Sequence, residues 1–295
     1  MTGALWATIS GLGFGVFQAF NRRGGRSFDP YIATFILLAG SAIILAIASV
    51  LTEDLGQFIG VPAMAYINFG LAGLCHFFIG WTFLTISQNK VGAARTGALV
   101  GTTPLFAIFI SALAFKEYLK LPILGGILML VIGVYLVSFA ETPGSTLGKI
   151  TWRNSLYGLG TALCFSVSPI FIRAGLAQLP SPLLGVTVGM GFSAFAYGIT
   201  LLFRRNHIQQ GPIPRDALIF QLAATLFVGI STWTRWIALD LAPVGVVLAL
   251  GRLNVPTVIL LSPLLVGKAQ ENVTLRVWLG AAMIVAGSIV LNFFG

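Results

Sequence analysis

Long apolar stretches, separated by short polar connections, follow one another along the whole chain. A helix needs about 20 apolar residues to cross the hydrocarbon core of a bilayer. Transmembrane strands would be shorter and would alternate polar with apolar residues. We therefore predict an all-α integral membrane protein with ten transmembrane helices. The predicted segments are about 1–20, 31–51, 64–86, 91–115, 121–140, 156–172, 182–203, 217–239, 244–267 and 275–294.

The composition agrees with a chain that lies mostly in a bilayer. Of its 295 residues, 57% are hydrophobic and only 8% are charged, whereas about 25% of the residues of a soluble domain are charged. The formal net charge is +9, but the basic residues occur singly or in small groups between apolar runs. Nucleic-acid binding would need them on one exposed face. We therefore expect a multi-pass protein of the cell (inner) membrane, surrounded by lipid, and no nucleic-acid partner.

The second half of the chain is a degenerate copy of the first. Similar residues align at offsets that grow from 151 (Arg22 with Arg173) to 154 (Glu117 with Glu271). An odd number of helices in each copy would insert the second copy with the opposite orientation. We predict two inverted five-helix repeats, at 1–140 and 155–295, joined by a linker at 141–154. The other aligned pairs are Gly24 with Gly175, Pro30 with Pro182, Trp81 with Trp233, Pro104 with Pro256, Gly126 with Gly280 and Gly133 with Gly287.

Two short motifs resemble a known family. Lys116-Glu117-Tyr118-Leu119, followed by Gly126 and Gly133, resembles the helix-four-to-five signature of the drug/metabolite transporter (DMT) superfamily, EamA type. Glu271-Asn272-Val273-Thr274, followed by Gly280 and Gly287, resembles it more closely. The resemblance implies a ten-helix secondary carrier with a central cavity between the repeats and peripheral fifth and tenth helices. Members move amino acids, sugars, nucleotide sugars, organic cations and other metabolites, so the resemblance does not identify a substrate.

Three arginines within the predicted helices are candidate binding residues, because a charge at the centre of a membrane helix costs about 2.5–3.5 kcal/mol on insertion scales. Arg252 is nine residues past Pro243, roughly 13 Å into its helix at about 1.5 Å per residue. It is either an anchor for an anion or carboxylate, or a fixed partner of Asp240 or of helix carbonyls. Arg235 is either a substrate contact or a side chain that snorkels. For Arg95, near a helix start, we favour a side chain that reaches back to water.

Aromatic and uncharged polar side chains extend the candidate set. His76 is central in its helix and is either hydrogen-bonded structure or a proton relay. Trp81 and Trp233 occupy matching places in the two copies, where they either wall a cavity that stacks on a planar or cationic ligand or form an interfacial belt. Asn254 is an amide candidate for the cavity lining.

The first helix adds two weaker candidates. Phe14 and Gln18 share one of its faces, and the resembling family uses this helix to line its cavity. The surrounding run Gly11-Leu12-Gly13-Phe14-Gly15 lies within an apolar segment that no strand precedes. We interpret Gly11 and Gly15 as a small-xxx-small pair for helix packing and not as a nucleotide-binding loop.

The charged residues within the predicted helices indicate a class of function. Buried arginines without a mid-membrane Asp or Glu favour a secondary transporter, an alternating-access carrier or exporter, of a small polar metabolite with a carboxylate, such as an amino acid or organic acid. The alternatives are an intramembrane enzyme, such as a lipid-linked transferase, and a channel or receptor. Eight acidic residues and two histidines suggest no acid/base or metal constellation. We expect no enzyme, catalytic site, metal or cofactor, and a monomer, with a homodimer as the alternative.

Orientation is predicted differently by charge and by resemblance. Lys and Arg collect in cytoplasmic connections. The connections after the odd-numbered helices carry most of them, whereas the connection after the second helix carries Glu53 and Asp54. Charge therefore places both termini outside the cytoplasm, and the family resemblance implies both inside.

Overall fold

The computed structural model describes residues 2–91, 93–115, 120–138, 152–208, 211–266 and 275–294. Within those ranges the chain forms thirteen α-helices and no strand. We number the helices α1 to α13 in chain order. Their bounds are Thr2–Gly24, Pro30–Thr52, Ala63–Gly73, Trp81–Val91, Ala93–Gly101, Thr103–Phe115, Leu121–Ser138, Trp152–Leu176, Pro182–Arg204, Arg215–Leu241, Val244–Leu250, Asn254–Val266 and Leu275–Phe294.

Several of these helices suit a bilayer by length and composition. In the described part of the chain, seven helical segments are long and apolar enough to cross a membrane. Large apolar side chains also point outward, with Phe203 84% and Leu51 78% exposed, as expected where lipid replaces water. The chain is thus an all-α multi-pass membrane protein. The seven segments are Thr2–Ser27, Pro30–Thr52, Ala63–Gln88, Trp152–Leu176, Pro182–Arg204, Arg215–Leu241 and Val244–Leu261, and shorter apolar helices occupy Leu121–Leu136 and Leu275–Leu291.

The starts of α2 and α9 are fixed by the same local chemistry. Asp29 accepts a hydrogen bond from the backbone N–H of Tyr31 at 2.9 Å, and Ser181 accepts one from that of Leu184 at 3.1 Å. These side chains satisfy N–H groups that have no partner within the helix. A proline follows each cap as the first helical residue, where its missing N–H costs nothing.

Helices from the two halves of the chain pack in antiparallel pairs. At one end of the α2–α9 pair, Arg204 donates to the hydroxyl of Tyr31 at 2.7 Å. At the other end, the hydroxyl of Ser181 donates to Glu53 at 2.7 Å. Since Tyr31 begins α2 and Arg204 ends α9, the two helices run in opposite directions.

The pairs α1–α10 and α7–α13 show the same arrangement. The start of α1 lies against the end of α10, and Gly24 at its other end lies against Gln221 near the start of α10. In the second pair, Gly126 faces Gly287 and Gly133 faces Gly280. Small residues at these contacts let the helix backbones approach closely.

Glycine at the predicted small-xxx-small positions has a steric role. A Cβ on Gly15 would overlap the side chain of Thr257, and one on Gly11 would lie 2.5 Å from the carbonyl oxygen of Leu250. The prediction that these glycines serve packing is confirmed. The tightest approach is between α3 and α9, where a Cβ on Gly73 would overlap the carbonyl of Gly189.

Three interruptions divide otherwise continuous helical segments. A π-helical stretch, Leu74–Gly80, joins α3 to α4, and a 3₁₀ turn, Gly251–Leu253, joins α11 to α12. The third separates α5 from α6 at Thr102. Pro104 follows this third break and Pro256 follows the 3₁₀ turn. Each proline lacks the N–H that would bond the carbonyl four residues earlier, so the regular helix is interrupted there.

The carbonyl left free by the first of these prolines has another partner. The hydroxyl of Thr103 donates to the carbonyl of Val100 at 2.5 Å. Freed backbone groups in a membrane helix need such partners, since lipid supplies none. Interrupted helices at corresponding places in two halves of a transporter are also a pointer to its binding site.

Candidate functional site

The 3₁₀ turn between α11 and α12 carries Arg252. The middle of α1 packs against this turn through Gly11 and against the start of α12 through Gly15. Arg252 is half-buried. Its Nε atom is buried without a hydrogen-bond partner, and so is Oδ1 of Asn254 two residues later. Buried polar atoms without protein partners are positions where a ligand could supply the missing bonds.

Arg235, on α10, lies near the same turn. Its guanidinium carbon is 5.9 Å from the ring centre of Phe14 on α1, within the range of a cation–π contact. Arg235 and the 3₁₀ turn flank the same stretch of α1, since Ser10 donates to the carbonyl of Ser231, four residues before Arg235, and Gly11 lies against Leu250 and Gly251. The structure therefore brings to one stretch of α1 the two arginines that the sequence proposed separately.

No acidic side chain in the described residues compensates this pair of arginines. Asp240 is exposed at the end of α10, and no ion pair joins it to Arg252 in the part of the chain that the structure describes. The suggested Asp240–Arg252 pair is therefore wrong, because Asp240 faces outward. The other described acidic residues also lie at helix ends or beside them; they are Asp29, Glu53, Asp54 and Asp216.

His76 lies in the π-helical stretch between α3 and α4. Its Nδ1 is 3.0 Å from the hydroxyl of Ser168 on α8, and its ring stacks on Phe165 at 4.2 Å between centroids. Pro169 interrupts the hydrogen bonding of α8, and the hydroxyl of Ser168 contacts the freed carbonyl of Phe165 at 3.5 Å. His76 is therefore held in place by its neighbours, and only 7% of its surface is exposed.

A continuous row of aromatic contacts connects the surroundings of Arg235 with those of His76. The row starts at Phe14, whose ring lies against Arg235, and ends at Phe165, whose ring stacks on His76. Because these two phenylalanines are counterparts in the two copies, the row joins equivalent positions of α1 and α8. The successive centroid distances are Phe14–Phe17 6.3 Å, Phe17–Trp81 6.3 Å, Trp81–Phe77 5.3 Å, Phe77–His76 4.8 Å and His76–Phe165 4.2 Å.

The remaining candidates have less well-defined surroundings. Trp81 stacks on Phe17 inside the row, which favours the wall over the interfacial belt for this tryptophan. Trp233 is half-buried against the main apolar core. Gln18 is half-buried. Arg95 lies on α5, and its side chain is outside the described residues.

Two members of the arrangement were not singled out as candidates from sequence. They are Phe165, which aligns with Phe14 at the offset of 151 residues, and Ser168. A serine directly before a proline inside an apolar run could have identified the second, because its hydroxyl can bond the carbonyl that the proline frees.

The chemistry available at this site is anion recognition. A guanidinium group offers planar, forked donors that match a carboxylate or phosphate. Among the described residues, no three His, Cys, Asp or Glu side chains are grouped so as to hold a metal ion. The sequence motifs at 116–119 and 271–274 lie outside the described residues, so they add nothing to the site's geometry.

Comparisons with known proteins agree with this architecture. Residues 1–139 match the model of the EamA-like transporter family, which confirms the expected resemblance. A Bacillus subtilis (strain 168) protein described as "Uncharacterized transporter YdfC" is 29% identical over 152 residues, covering 51% of this chain and 46% of the relative. This chain therefore aligns with about half the length of that relative. A solved crystal structure with a TM-score of 0.76 covers 99% of both chains at 18% identity, which bears on the fold alone.

Proposed function

We propose that this chain, whose first half resembles the EamA-like transporters, is a secondary carrier of a small polar metabolite that bears a carboxylate. One observation carries the proposal. Arg235 and Arg252 are both half-buried beside α1, and no described carboxylate pairs with either. An anionic group of the substrate would supply the missing partner, as an amino acid or an organic acid can.

Other arginines of the chain have structural roles and can be compared with Arg252. Arg173 donates to the carbonyls of Leu239 and Ala242 at 2.8 and 2.5 Å, across the end of α10. Arg23 donates to the carbonyl of Leu265 at 2.7 Å. Both fix helix ends by bonding carbonyls that have no partner within the helix. Arg252 differs from them, since its Nε is buried without a partner.

The proposed architecture is ten membrane spans in two inverted repeats, at 1–140 and 155–295, with a linker at 141–154. The antiparallel pairing of helices from the two halves supports it. Gly126 and Gly280 are counterparts, as are Gly133 and Gly287, so a two-fold axis would carry the Gly126–Gly287 contact onto the Gly133–Gly280 contact.

The proposed mechanism is alternating access in a cell (inner) membrane. Two similar bundles of opposite orientation can exchange roles, which opens a central site first to one side and then to the other. The aromatic row supports a site between the bundles, because it runs from α1 in one half through α4 to α8 in the other. We propose that the protein works as a carrier without enzymatic activity and without a cofactor, and as a monomer.

Thermal stability of the purified protein tests this proposal. A ligand that binds the folded state raises its melting temperature as ligand concentration rises. We expect small carboxylates to do so, and amines of the same size to have no effect. The matched variants are Arg252→Ala, which should abolish the shift, and Arg205→Ala, an exposed arginine, which should keep it. Stabilisation by amines alone would contradict the proposal.

A further inference from the structure

The predicted membrane segments contain arginines but no acidic residue that could balance their charge. The chain has eight acidic residues, and none of them lies within the predicted membrane segments. Those that the structure describes are at helix ends or beside them. Arg235 and Arg252 meanwhile flank the same stretch of α1, where Ser10 donates to the carbonyl of Ser231 and Gly11 lies against Leu250 and Gly251. In the described part of the chain, the site therefore holds two positive charges and no negative one.

We infer that this site takes a small dianion, with one negative group for Arg235 and one for Arg252, and that the protein changes sides only while such an anion is bound. The inference rests on the proposed carrier function and narrows it to one substrate class. A dianion of this kind is a dicarboxylate, with one carboxylate at each end.

Geometry supports two points of attachment instead of one. The two arginines are on different elements, α10 and the 3₁₀ turn after α11. Arg235 lies over the ring of Phe14, and the Nε atom of Arg252 is buried without a partner. A single carboxylate between them would leave one net positive charge, whereas two anionic groups neutralise both.

Exchange follows from the charge of the empty site. A carrier must pass through a closed state in which water no longer reaches the site. Uncompensated charges are most costly there, because the surrounding dielectric constant is lowest. With a dianion bound, the site has no net charge from its arginines, and the closed state becomes accessible. Each anion that enters would therefore have to be followed by one that leaves.

His76 fits this inference as a neutral partner. Its Nδ1 is fixed by Ser168 at 3.0 Å and its ring by Phe165 at 4.2 Å. The row of aromatic contacts connects it to Phe14, which lies against Arg235. A neutral imidazole can accept or donate one hydrogen bond without changing the charge balance of the site.

Binding measurements test the substrate class. The probes are succinate, glutarate and malate, compared with butyrate and valerate, which are monoanions of matched chain length. We expect at least one dianion to bind ten-fold or more tightly than the monoanions in a thermal-shift titration. Arg235→Gln and Arg252→Gln should each remove this preference, and Arg205→Gln should retain it. Arg252→Lys keeps the charge and should keep part of the preference. Size-exclusion elution identifies variants that fail to fold.

Transport in proteoliposomes tests the exchange. The labelled dianion that binds best is added outside vesicles that contain the same unlabelled dianion, butyrate, or only gluconate. We expect uptake at least ten-fold faster into the dianion-loaded vesicles. The rate of exchange should not depend on a potassium diffusion potential set by valinomycin, since the loaded site carries no net charge.

The outcomes separate this inference from the proposed function. If butyrate and succinate bind equally well, the inferred preference for dianions is wrong, but the proposal of a carboxylate carrier remains. Equal uptake into gluconate vesicles and dianion-loaded vesicles would overturn exchange and leave dianion transport. Binding of none of the anions would overturn both the inference and the proposed function.

Discussion

Replacing Arg252 by methionine is expected to stabilise the protein and at the same time to weaken anion binding. The two effects have opposite signs because the guanidinium group has no described partner until a substrate arrives. Methionine is a suitable replacement, since it is unbranched, flexible and able to fill an irregular space.

The stability gain can be bounded from the surroundings of Arg252. A cation at the centre of a membrane helix costs about 2.5–3.5 kcal/mol on insertion scales, and a buried polar atom without a partner about 1–3 kcal/mol. These two figures describe overlapping effects, and part of the residue remains accessible. We therefore expect Arg252→Met to raise the free energy of unfolding by roughly 1–3 kcal/mol.

The loss of binding is estimated from the hydrogen bonds that a carboxylate would form. Hydrogen bonds to charged groups are worth about 1.5–3 kcal/mol, and every 1.4 kcal/mol is about ten-fold in affinity. Anion affinity should thus fall roughly 10- to 150-fold. Thermal unfolding in detergent with and without the anion measures both quantities in one assay. Arg205→Met is the control and should change neither by more than about 0.5 kcal/mol. A variant that is less stable than the parent but binds normally would show that Arg252 is structural.

Three further predictions concern packing, helix pairing and orientation. Gly73→Ala should lower the melting temperature strongly, because its Cβ would overlap the carbonyl of Gly189, whereas Gly191→Ala should leave it unchanged or raise it slightly, since that Cβ meets nothing within 4 Å. Glu53→Ala should lower the thermal stability, because Glu53 accepts a bond from Ser181 at 2.7 Å that ties α2 to α9, and one from Ser49 at 2.8 Å within the end of α2; Asp240→Ala, at an exposed aspartate, is the control, and equal losses would contradict the assignment. A C-terminal reporter that is active only in the cytoplasm should be inactive if charge determines orientation, and strong activity would support the orientation that the family resemblance implies.

Helix positions could be predicted closely because hydropathy and proline act locally. The segments 31–51 and 182–203 correspond to Pro30–Thr52 and Pro182–Arg204. In both cases the apolar run ends where polar residues return, and a proline with a capping side chain before it marks the start.

The interruptions within helices could not be predicted in the same way. The π-helical stretch Leu74–Gly80 and the 3₁₀ turn Gly251–Leu253 change the hydrogen-bond register by one residue. Such a change of register does not alter the residues of the segment, so its hydropathy gives no indication of where the change occurs. Proline at 104 and 256 indicates where a backbone bond is lost, but not whether the helix bends, tightens or breaks there.

The partners of the site residues were also beyond a local pattern. Stacking of Trp81 on Phe17 and of His76 on Phe165 joins helices far apart in sequence. The pairing of Asp240 with Arg252, one of the alternatives for this arginine, failed for this reason. Depth along a helix could be estimated from residue counts, but the direction in which Asp240 points depends on how α10 packs.

The departures from symmetry between the two copies carry the proposed chemistry. Pro104 and Pro256 differ by 152 residues, and so do Trp81 and Trp233. At that offset Arg252 corresponds to Val100, Arg235 to Phe83 and His76 to Val228. Each of these three residues thus has an apolar counterpart in the other copy. Duplication supplies paired helices and paired interruptions, but it cannot supply a charge that only one copy has. Both guanidinium groups belong to the second copy and the imidazole to the first, so an anion that contacts all three would bridge the two copies. The bundles could then change sides together only around a bound substrate.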